Sequence, residues 1–597
     1  MANTTPNTLP TWPPSSLTVQ QIGHLAHLAT DYALANGIVY RPLPPPASSS
    51  PSSSSSSTDA PAPTPPYDSV IHAPFSLVPS PFPRPLFDYA QSLQPTYDVL
   101  YASLASSPDF LKRVVGGSVS KVDSFQASLW KIYQHLQNPD RRSRQRLGLG
   151  LFRSDYLLHR PDDDEDGKEG RASELQLKQV EFNTISASFG ALCTKVAALH
   201  RHVARNSAGY FGAHDGKLAE LDRLPENEAL DVLSSGLAAA HKAYLEQRGL
   251  APAAADAAKA PLPLSPVVLF VVQEHERNAF DQRWIEDSLT TTHGIPVLRQ
   301  TFTQLQTSAM LEGADRRLHV VPSYGGEAIE VSVVYFRAGY GPGDYPTQSE
   351  WELRERLESS YAIKCPTVAL QLAGAKKVQQ VLSEPQCTES ILLDAAKTGG
   401  RAVSKDEVER VRQSYTDLYP LDASALGQEA YRLARAQPHR FVMKPQREGG
   451  GNNVYRHDIP PALDEMERLD AQGLVTPSTA GSIDGGGGGE GEAVKRREGY
   501  ILMSLIQPPP GIGNWLVKAS SASSVSPGAA VLAHDVVSEL GVYGSILYRD
   551  HDDEGAEGKI EVRHHRSGGF LLRTKARESD EGGVAVGFSV IDSPVLL

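Results

Sequence analysis

The sequence predicts an α/β protein, because short apolar runs alternate with amphipathic segments along most of its length. Apolar runs at 267–273, 318–321 and 331–336 have the length and composition of buried parallel strands. A helical pattern at 281–289 lies between the first two runs, and another pattern covers 19–36. We therefore expect a parallel α/β unit in the middle of the chain, flanked by further strands and helices.

The remaining elements follow from the same two periodicities. These predict helices at 86–115, 349–364 and 374–383, and strands at 178–182, 441–444, 500–505 and 542–547. Low-complexity segments between them are expected to be surface insertions without a function of their own. They are the Pro/Ser-rich stretch 43–66, which should be disordered, and the segments 161–170, 251–264, 476–497, 517–530 and 551–558.

The composition is that of a globular protein with no general affinity for polyanions. The chain has 597 residues, 40% of them hydrophobic, and a formal net charge of −13. That charge disfavours bulk binding to nucleic acid or to an anionic membrane, so an anionic substrate must meet a local cluster of Arg and Lys. No secretory signal and no run of about 18 apolar residues is present. Cys193, Cys365 and Cys387 lack metal or disulfide spacing, which favours a reducing compartment, the cytoplasm.

The most informative motif is KPQREGGGNN, residues 444–453. A predicted strand delivers Lys444 into a glycine-rich loop, which suits a polyphosphate because glycine lets backbone N–H groups approach anionic oxygens. Glu448 in the same loop would repel phosphate unless a cation lies between them. The motif therefore favours Mg²⁺–ATP over simple anion binding, although its spacing matches neither the P-loop nor the Rossmann fingerprint.

A second cluster lies in VEFNTISASFG, residues 180–190. Glu181 and Asn183 flank Phe182 on an extended segment, so their side chains point to one face. A carboxylate and an amide oxygen side by side suit Mg²⁺, and the serines that follow offer polar groups to a ligand. Taken alone, the segment also fits a strand end with an Asn turn and a Ser cap.

A third cluster lies in LLRTKARESDEGGVAVG, residues 571–587. Arg573 and Lys575 alternate along an extended strand and face the same side, where two cations fit phosphate or carboxylate. Gly582 and Gly583 then begin a small-residue loop that could close on a ligand. A solvated strand followed by a hairpin explains the same pattern.

Two further polar clusters, 276–282 and 337–340, each follow a predicted buried strand. Ligands of open α/β sheets bind beyond the carboxyl ends of the strands, so these clusters suit a zwitterionic or carboxylate-rich small molecule. RSDY at 153–156 and the pair Lys376-Lys377 are weaker signals when taken alone. Nucleophilic and zinc hydrolases and protein kinases are poor fits, because the chain lacks G-x-S-x-G, HExxH, HRD and DFG motifs.

Together these blocks resemble the eukaryotic glutathione synthetases, which are ATP-grasp ligases. The matching text is RSDY, VEFNTISASFGAL, ERNAFDQR, VVYFRAGY, AIKCPTVALQLAGAKKVQQ, FVMKPQREGGGNN, SELGVYG and LLRTKARESDEGGVAVG, in the order of the family. The joint match outweighs the separate structural explanations of each block. The low-complexity insertions and the extra length indicate a fungal-type member.

The resemblance implies formation of glutathione from γ-glutamylcysteine, glycine and ATP through an acyl phosphate. That chemistry requires charge neutralisation on the transferring phosphoryl group and exclusion of water from the acyl phosphate. The resemblance also implies Mg²⁺ as cofactor and a homodimer. Two alternatives stay open: a ligase of the same chemistry with β-alanine or serine as acceptor, and a nucleotide-binding regulatory protein without turnover.

Roles for individual residues are implied by the same resemblance. Glu181, Asn183 and Glu448 would be the Mg²⁺ ligands, and Arg573, Lys444 and Lys376 would be the catalytic cations. The nucleotide would contact Glu181, Lys376, Lys444, Pro445, Gln446, Arg447, Glu448, Gly449, Gly450, Gly451, Asn452, Asn453, Tyr455, Met503, Ser504, Leu505, Ile506, Glu539, Lys575 and Glu581. The peptide and glycine would contact Arg153, Ile185, Ser186, Ala187, Ser188, Glu276, Arg277, Asn278, Gln282, Arg337, Ala338, Gly339, Tyr340, Arg573, Val584 and Ala585.

The implied fold is an ATP-grasp core with an inserted parallel α/β substrate-binding domain and a glycine-rich lid. An N-terminal helical region and part of the core would occupy 1–265, and the substrate-binding domain 266–385. The nucleotide-binding region would occupy 386–597, with the lid near 436–540.

Overall fold

The structure is a computed structural model of the chain. It describes residues 9–10, 12–13, 17–42, 68–138, 145–161, 174–207, 221–250, 266–448, 451–473, 494–519, 530–551, 557–579, 584 and 589–597. The predicted insertions at 43–66 and 251–264 lie outside the described residues, as does most of each of the other four.

Helices and strands interleave along the chain, as predicted. The helices are α1 (Val19–Ala35), α2 (Arg84–Ala105), α3 (Pro108–Leu111), α4 (Ser124–Leu136), α5 (Gly190–Asn206), α6 (Ala229–Arg248), α7 (Ala279–Thr291), α8 (Phe302–Ser308), α9 (Gln348–Glu358), α10 (Val368–Ala373), α11 (Lys376–Ser383), α12 (Cys387–Leu392), α13 (Lys405–Ser414), α14 (Ala425–Ala436) and α15 (Ile459–Ala471). The strands of the first half are β1 (Val39–Tyr40), β2 (Ile71–His72), β3 (Phe75–Ser76), β4 (Ser80–Phe82), β5 (Leu147–His159), β6 (Gln176–Asn183), β7 (Val267–Val272), β8 (Val297–Thr301), β9 (Ala309–Glu312), β10 (Arg317–Val320) and β11 (Ile329–Phe336). Those of the second half are β12 (Ile363–Cys365), β13 (Leu418–Pro420), β14 (Phe441–Pro445), β15 (Val454–Tyr455), β16 (Tyr500–Ser504), β17 (Asn514–Val517), β18 (Ala530–Ala533), β19 (Val536–Asp550), β20 (Ile560–Ala576), β21 (Val590–Asp592) and β22 (Pro594–Leu596).

Local sequence explains where several helices begin. Thr18 and Gln21 form a reciprocal capping box at the start of α1, and Thr347 and Glu350 form another at α9. The predicted helix at 86–115 is instead divided into α2, α3 and a π-helical turn at Lys112–Gly116. Pro108 favours the division, because proline disfavours helical backbone at the residue before it, and Ser107 is non-helical with φ −115° and ψ 85°.

A large mixed sheet of 14 strands dominates the described fold. Strands β8, β7, β11, β12 and β5 are parallel neighbours in that order. Beyond them, β19 and β20 run antiparallel to β5 and to each other, and β6 pairs with the second part of β5. All six residues of β7 are buried, which explains its unbroken apolar sequence as that of a central parallel strand.

The predicted parallel strand at 318–321 is wrong in its direction. Strand β10 covers this region and runs antiparallel to both β9 and β11. A short turn joins β9 to β10, with Gly313 and Arg316 at positive φ, and such a hairpin makes the two strands antiparallel. The true parallel partner after α7 is β8, whose half-polar sequence VLRQT gave no apolar run to detect.

A separate antiparallel sheet of four strands, in the order β13-β16-β14-β15, carries the start of the glycine-rich motif. Its strands pack on α14 and α15 through a small apolar core that includes Ala430, Phe441, Met443, Leu463 and Leu502. The central strand β14 ends at Pro445, so Lys444 lies where the strand leaves the sheet. Among the described helices, none is both long and apolar enough to cross a lipid bilayer.

Candidate active site

A cavity of about 370 Å³ opens between the large sheet, the carboxyl ends of its parallel strands and the four-stranded sheet. Among the described residues that line it, nine are Arg or Lys and four are Glu. The cavity is thus locally cationic in a chain whose net charge is −13, which is the local cluster that an anionic substrate requires.

A buried network of charged side chains supports the cavity on the side of the large sheet. Arg153 binds Asp155 on β5 through two hydrogen bonds, Nε to Oδ1 at 2.6 Å and Nη2 to Oδ2 at 2.8 Å. Arg573 of β20 also donates to Asp155, at 3.0 Å, and to Glu539 of β19. The strand register produces this arrangement, because Glu539 lies directly opposite Arg573 in the β19–β20 ladder.

Glycine at 541 makes room for this network. Gly541 pairs with Asp155 in the β5–β19 ladder, and a Cβ atom there would lie 2.7 Å from Arg153 Cδ and 2.8 Å from Asp155 Oδ1. An alanine would therefore displace the buried ion pair. This explains why the SELGVYG segment has glycine in the middle of a strand.

Lys376 joins two carboxylates that are far apart in sequence. Its ammonium group lies 3.1 Å from Glu181 Oε2 and 3.2 Å from Glu448 Oε2. Glu181 lies on β6, Lys376 is the first residue of α11, and Glu448 follows β14. Three separate elements therefore converge on one charged cluster.

The charged groups of this cluster shift one another's pKa. Burial disfavours ionisation of Glu181, but Lys376, Lys444 and Arg573 outweigh it and hold its pKa well below the usual range. Burial raises the pKa of Glu448 to about 7 against the attraction of Lys376, and the neighbouring charge of Glu181 adds to the increase. One carboxylate is thus firmly ionised, and the other titrates near neutrality.

Lys444 is a buried cation near the carboxylates of Glu181, Glu539 and Glu448. Its ammonium group donates to the backbone oxygen of Val180 at 3.0 Å, and its side chain lines the cavity. Burial lowers the pKa of Lys444 to about 8, and the carboxylate of Glu181 works in the opposite direction. An anion bound in the cavity would restore the full charge of this lysine.

The predicted metal ligands fit a divalent cation in their chemistry. Glu181 and Glu448 supply carboxylates, and the amide nitrogen of Asn183 donates to Asp155 Oδ2 at 3.0 Å, which leaves its oxygen as the atom able to ligate. No three His, Cys, Asp or Glu side chains converge on a metal position in the part of the chain that the structure describes. Two carboxylates and one amide would therefore need phosphate oxygens or water to complete the coordination of Mg²⁺.

The segment TISASF, residues 184–189 after β6, forms one rim of the cavity. Ser186 and Phe189 have positive φ angles of 52° and 74°. The carboxylate of Asp281, from α7, accepts hydrogen bonds from the N–H groups of Phe189, Ala191 and Leu192 and so caps the start of α5. The segment is held in an unusual conformation by a residue from another helix.

Arg337 fixes the other side of this rim. Its guanidinium donates to Ala187 O at 3.1 Å and to Ser188 Oγ at 2.7 Å. Arg337 follows β11 and Glu276 follows β7, and these parallel neighbours end at the same edge of the sheet, as predicted. Tyr340 lines the cavity beside them.

Glu276 is oriented by residues that do not themselves line the cavity. Asn278 N–H donates to Glu276 Oε1 at 2.8 Å, and Gln282 Nε2 donates to Oε2 at 3.1 Å. The guanidinium of Arg277 lies over the ring of Tyr40, 5.4 Å from its centre. Asn278 and Gln282 therefore hold the rim carboxylate, whereas Arg277 packs over Tyr40.

Apolar side chains line the cavity on the side of the four-stranded sheet. Val442 and Tyr455 come from β14 and β15, and residues 503–506 come from the end of β16. Leu157 and Val180 of the large sheet face them across the cavity. A planar, weakly polar ring such as adenine suits this slot.

Most predicted site residues converge in this one cavity. Those that line it are Arg153, Glu181, Asn183, Ile185, Ser186, Ala187, Ser188, Glu276, Arg337, Tyr340, Lys376, Lys444, Arg447, Glu448, Asn452, Asn453, Tyr455, Met503, Ser504, Leu505, Ile506, Glu539, Arg573, Lys575 and Val584. Those described elsewhere are Arg277, Asn278, Gln282, Ala338, Gly339, Pro445, Gln446 and Gly451. Gly449, Gly450, Glu581 and Ala585 lie outside the described residues.

Asp155 and Arg577 are among the residues of the site that the sequence motifs did not indicate. Asp155 belongs to the RSDY block but was not assigned a role, although its position two residues after Arg153 on a strand puts both on one face. Arg577 lines the cavity and holds Asp535 Oδ2 at 2.8 Å and the backbone oxygens of Pro508 and Pro509. Nothing in the local sequence around Arg577 indicates these distant partners.

Comparison with known proteins places this chain in one family. The family model described as eukaryotic glutathione synthase, ATP binding domain, matches residues 19–596. The chain is 33% identical to the glutathione synthetase large chain of Schizosaccharomyces pombe over 587 residues, covering 96% of this chain and 98% of that protein. It is 34% identical to the Homo sapiens glutathione synthetase over 575 residues, covering 96% and 97%.

A solved structure shows the same overall fold. A glutathione synthetase-like effector from Globodera pallida, in its apo form, aligns with a TM-score of 0.63, covering 99% of this chain and 100% of that one at 20% identity. The mixed α/β architecture is consistent with an α/β ligase. The chain belongs to the eukaryotic glutathione synthase family, and its activity is ATP-dependent ligation in glutathione synthesis.

Proposed function

We propose that the cavity joins glycine to the cysteinyl carboxylate of γ-glutamylcysteine, through an acyl phosphate formed with ATP. The observation that carries this proposal is the convergence of Lys376, Lys444 and Arg573 with two carboxylates in one cavity. Phosphoryl transfer to a carboxylate brings several negative charges together, so its transition state needs fixed cations at short range.

Each catalytic cation has a task that its surroundings support. Arg573 is fixed between Asp155 and Glu539, so it can stabilise charge on the reacting carboxyl group without reorganising. Lys444 and Lys376 bind phosphate oxygens, and the lowered pKa of Lys444 favours a site that gains an anion. The rim formed by Ser186, Ser188 and Arg337 positions the peptide substrate.

Glu181, Asn183 and Glu448 would hold Mg²⁺ beside the nucleotide phosphates. Bound there, the cation would neutralise charge on the transferring phosphoryl group. The paired carboxylates of Glu181 and Glu448 already require a cation between them, and Lys376 supplies one. Glu448 would be fully ionised at neutral pH once a divalent cation is beside it, because opposite charge lowers a carboxyl pKa.

The domain organisation is proposed from the two sheets. The separate four-stranded sheet supports a distinct unit near 436–540 that covers the nucleotide within an ATP-grasp arrangement, and the parallel strands support a substrate-binding unit over 266–385. The flanking regions 1–265 and 386–597 would complete the core. We also propose a homodimer, as the resemblance implies, and a cytoplasmic location, which three free cysteines favour.

One assay tests the reaction. The purified protein with Mg²⁺–ATP, γ-glutamylcysteine and glycine should release phosphate and form glutathione, identified by its mass. Parallel reactions with β-alanine and with serine in place of glycine test the acceptor. A product only with one of those two amino acids would replace glycine as the acceptor, and ATP binding without any peptide product would support the regulatory alternative.

The role of Glu448 is tested by Glu448→Ala, with Glu465→Ala as matched control. We expect turnover to fall about 100-fold at limiting Mg²⁺, because one of two carboxylate ligands is lost. Glu465 is an exposed residue of α15 that pairs with Arg468, so its removal should leave turnover unchanged. Unchanged turnover in the Glu448 variant would remove this residue from the metal site.

A further inference from the structure

The glycine-rich segment is attached to a helix that no sequence motif singled out. Arg447 Nη1 donates to Asp123 Oδ2, and the two residues are 324 positions apart in the chain. Arg447, which precedes Glu448 in the sequence, lines the cavity. Asp123 lies at the start of α4 and does not line the cavity. This contact joins the nucleotide side of the cavity to the N-terminal region.

Asp123 makes two separate interactions with its two oxygens. Oδ1 accepts from the backbone N–H of Gln126 at 2.9 Å, so it is the N-cap of α4. Oδ2 accepts from Arg447. The side chains of Asp123 and Arg447 are 11% and 23% exposed, so solvent screens the ion pair only in part. The helix end that presents Asp123 is also a favourable place for its negative charge.

The same turn of α4 contacts Arg447 through an aromatic ring. The guanidinium of Arg447 lies 5.8 Å from the centre of the Phe125 ring, within the range of a cation–π interaction. Phe125 in turn packs against Tyr345 and Trp351, with ring centres 5.9 Å and 5.7 Å away. The start of α4 thus sits between the glycine-rich segment and the loop that follows β11.

The neighbouring residue Gln446 is fixed as well. Its side chain accepts from Lys377 N–H at 3.0 Å and donates to Gly499 O at 3.2 Å. Arg447 also donates to the backbone oxygen of Gln446 at 2.8 Å. With Gln446 held from one side and Arg447 from the other, the backbone leading to Glu448 has little freedom.

We propose that Asp123 is a positioning residue for nucleotide binding, which holds Arg447 and through it the segment 445–448 in the arrangement that contacts ATP phosphates. Asp123 acts only through Arg447, since it does not line the cavity. The proposal rests on the nucleotide-binding role of this segment given above. The start of α4, which no sequence motif indicated, would thereby have a function.

Asp123→Asn separates the two interactions of this side chain. Asparagine is as good an N-cap as aspartate, so α4 keeps its cap while the charge on Arg447's partner is lost. We expect KM for ATP to rise about fivefold, equivalent to about 1 kcal/mol, with kcat within about twofold. KM for γ-glutamylcysteine and the melting temperature should stay close to those of the parent protein.

Three further variants complete the experiment. Arg447→Gln alone should raise KM for ATP at least as much, and the double variant Asp123→Asn/Arg447→Gln should be no worse than Arg447→Gln, since both changes break one interaction. Glu407→Gln is the matched control, because Glu407 pairs with Arg401 at the start of α13 and neither residue lines the cavity. We expect its KM for ATP to be unchanged.

The outcomes distinguish the proposal from the function on which it rests. If Arg447→Gln raises KM for ATP and Asp123→Asn does not, Asp123 has no positioning role. If neither variant changes KM for ATP, the segment does not bind the nucleotide, and the underlying assignment fails. A uniform loss of kcat with a lower melting temperature in Asp123→Asn would show a purely structural role and overturn the proposal.

Discussion

The cavity has two charged walls that are built in different ways. The sheet wall consists of Arg153, Asp155, Glu181, Glu539 and Arg573 on adjacent strands of the large sheet. The glycine-rich wall consists of β14, from the four-stranded sheet, and of Arg447 and Glu448, which follow this strand. Strand register fixes the first wall, whereas side-chain contacts with other elements fix Arg447 and Glu448 in the second.

These two constructions leave the charges in different states. On the sheet wall, Asp155 is buried between Arg153 and Arg573, so these charges have partners within the protein. On the glycine-rich wall, burial lowers the pKa of Lys444 to about 8 and raises that of Glu448 to about 7. The first wall is preorganised, and the second is completed by the ligand.

This difference predicts how severe each loss should be. A change on the sheet wall breaks a buried network in which every member depends on the others. A change on the glycine-rich wall removes one metal or phosphate contact, so its effect on turnover should be smaller. The largest effects on turnover should therefore come from the sheet wall.

Arg573→Met is expected to have the largest effect. Loss of its guanidinium removes charge stabilisation from the reacting carboxyl group and leaves Glu539 without its partner. We expect kcat to fall about 1000-fold, while KM for ATP changes less than tenfold, as measured by steady-state phosphate release.

A control on the same strand shows whether the effect is local. Arg566→Met removes an arginine of β20 that pairs with Glu228 at the surface and does not line the cavity. Its kcat should stay within about twofold of the parent value. Equal losses in both variants would mean that β20 tolerates no change, and would remove the special role given to Arg573.

The sequence indicated the sheet wall and its ligands better than it indicated their supports. Alternation along single strands placed Glu181 with Asn183 and Arg573 with Lys575 on the cavity side, because the two-residue period of a strand is local information. The same rule applied to RSDY would have added Asp155, whose neighbour Arg153 was already assigned. The position of Asp155 on the cavity side is therefore predictable from the sequence.

Other features of the molecule could not be found from local patterns. Asp123 lies 324 residues from Arg447, so only the folded chain shows that a helix cap is also an ion-pair partner. The direction of β10 likewise depends on tertiary pairing, because an apolar run does not show whether its neighbouring strands are parallel or antiparallel. The strand β8 was not predicted because its half-polar sequence has no apolar run. A sequence pattern shows which residues share one face of a helix or strand. Contacts between residues far apart in the sequence are seen only in the folded structure.

Arg577→Gln tests a link between the two walls. Arg577 follows β20, and its guanidinium holds the backbone oxygens of Pro508 and Pro509 just after the residues 503–506 that line the nucleotide slot. We expect KM for ATP to rise about threefold with kcat unchanged, because the slot becomes less rigid while Arg573 keeps its partners. Steady-state kinetics at varied ATP measures this effect.

Arg563→Gln provides the comparison for that variant. Arg563 lies on β20, the strand that precedes Arg577, and pairs with Glu561 at the surface, away from the cavity. If both variants raise KM for ATP equally, the contacts of Arg577 with the proline carbonyls have no particular importance. If Arg577→Gln lowers kcat alone, the residue serves the sheet wall and the two walls are less separate than described above.

The smallest effect concerns the pH dependence of stability in the ligand-free protein. The raised pKa of Glu448, about 7, means that its contribution to folding is fully present below the ordinary carboxyl pKa and is lost as pH rises through about 7. The depressed pKa of Glu181 has the opposite sign: its contribution is present above the ordinary carboxyl pKa and is lost at more acid pH.

Urea denaturation between pH 5 and pH 8 measures the effect of Glu448. Relative to Glu448→Gln, the parent protein should lose on the order of 1–2 kcal/mol of unfolding free energy across this range, since the variant has no group to ionise. Glu181→Gln should show a smaller loss than the parent over the same range, because removal of the Glu181 charge takes away one of the causes that raise the pKa of Glu448. Parallel curves for the parent and Glu448→Gln would mean that Glu448 is already ionised in the empty cavity, and the glycine-rich wall would then be as preorganised as the sheet wall.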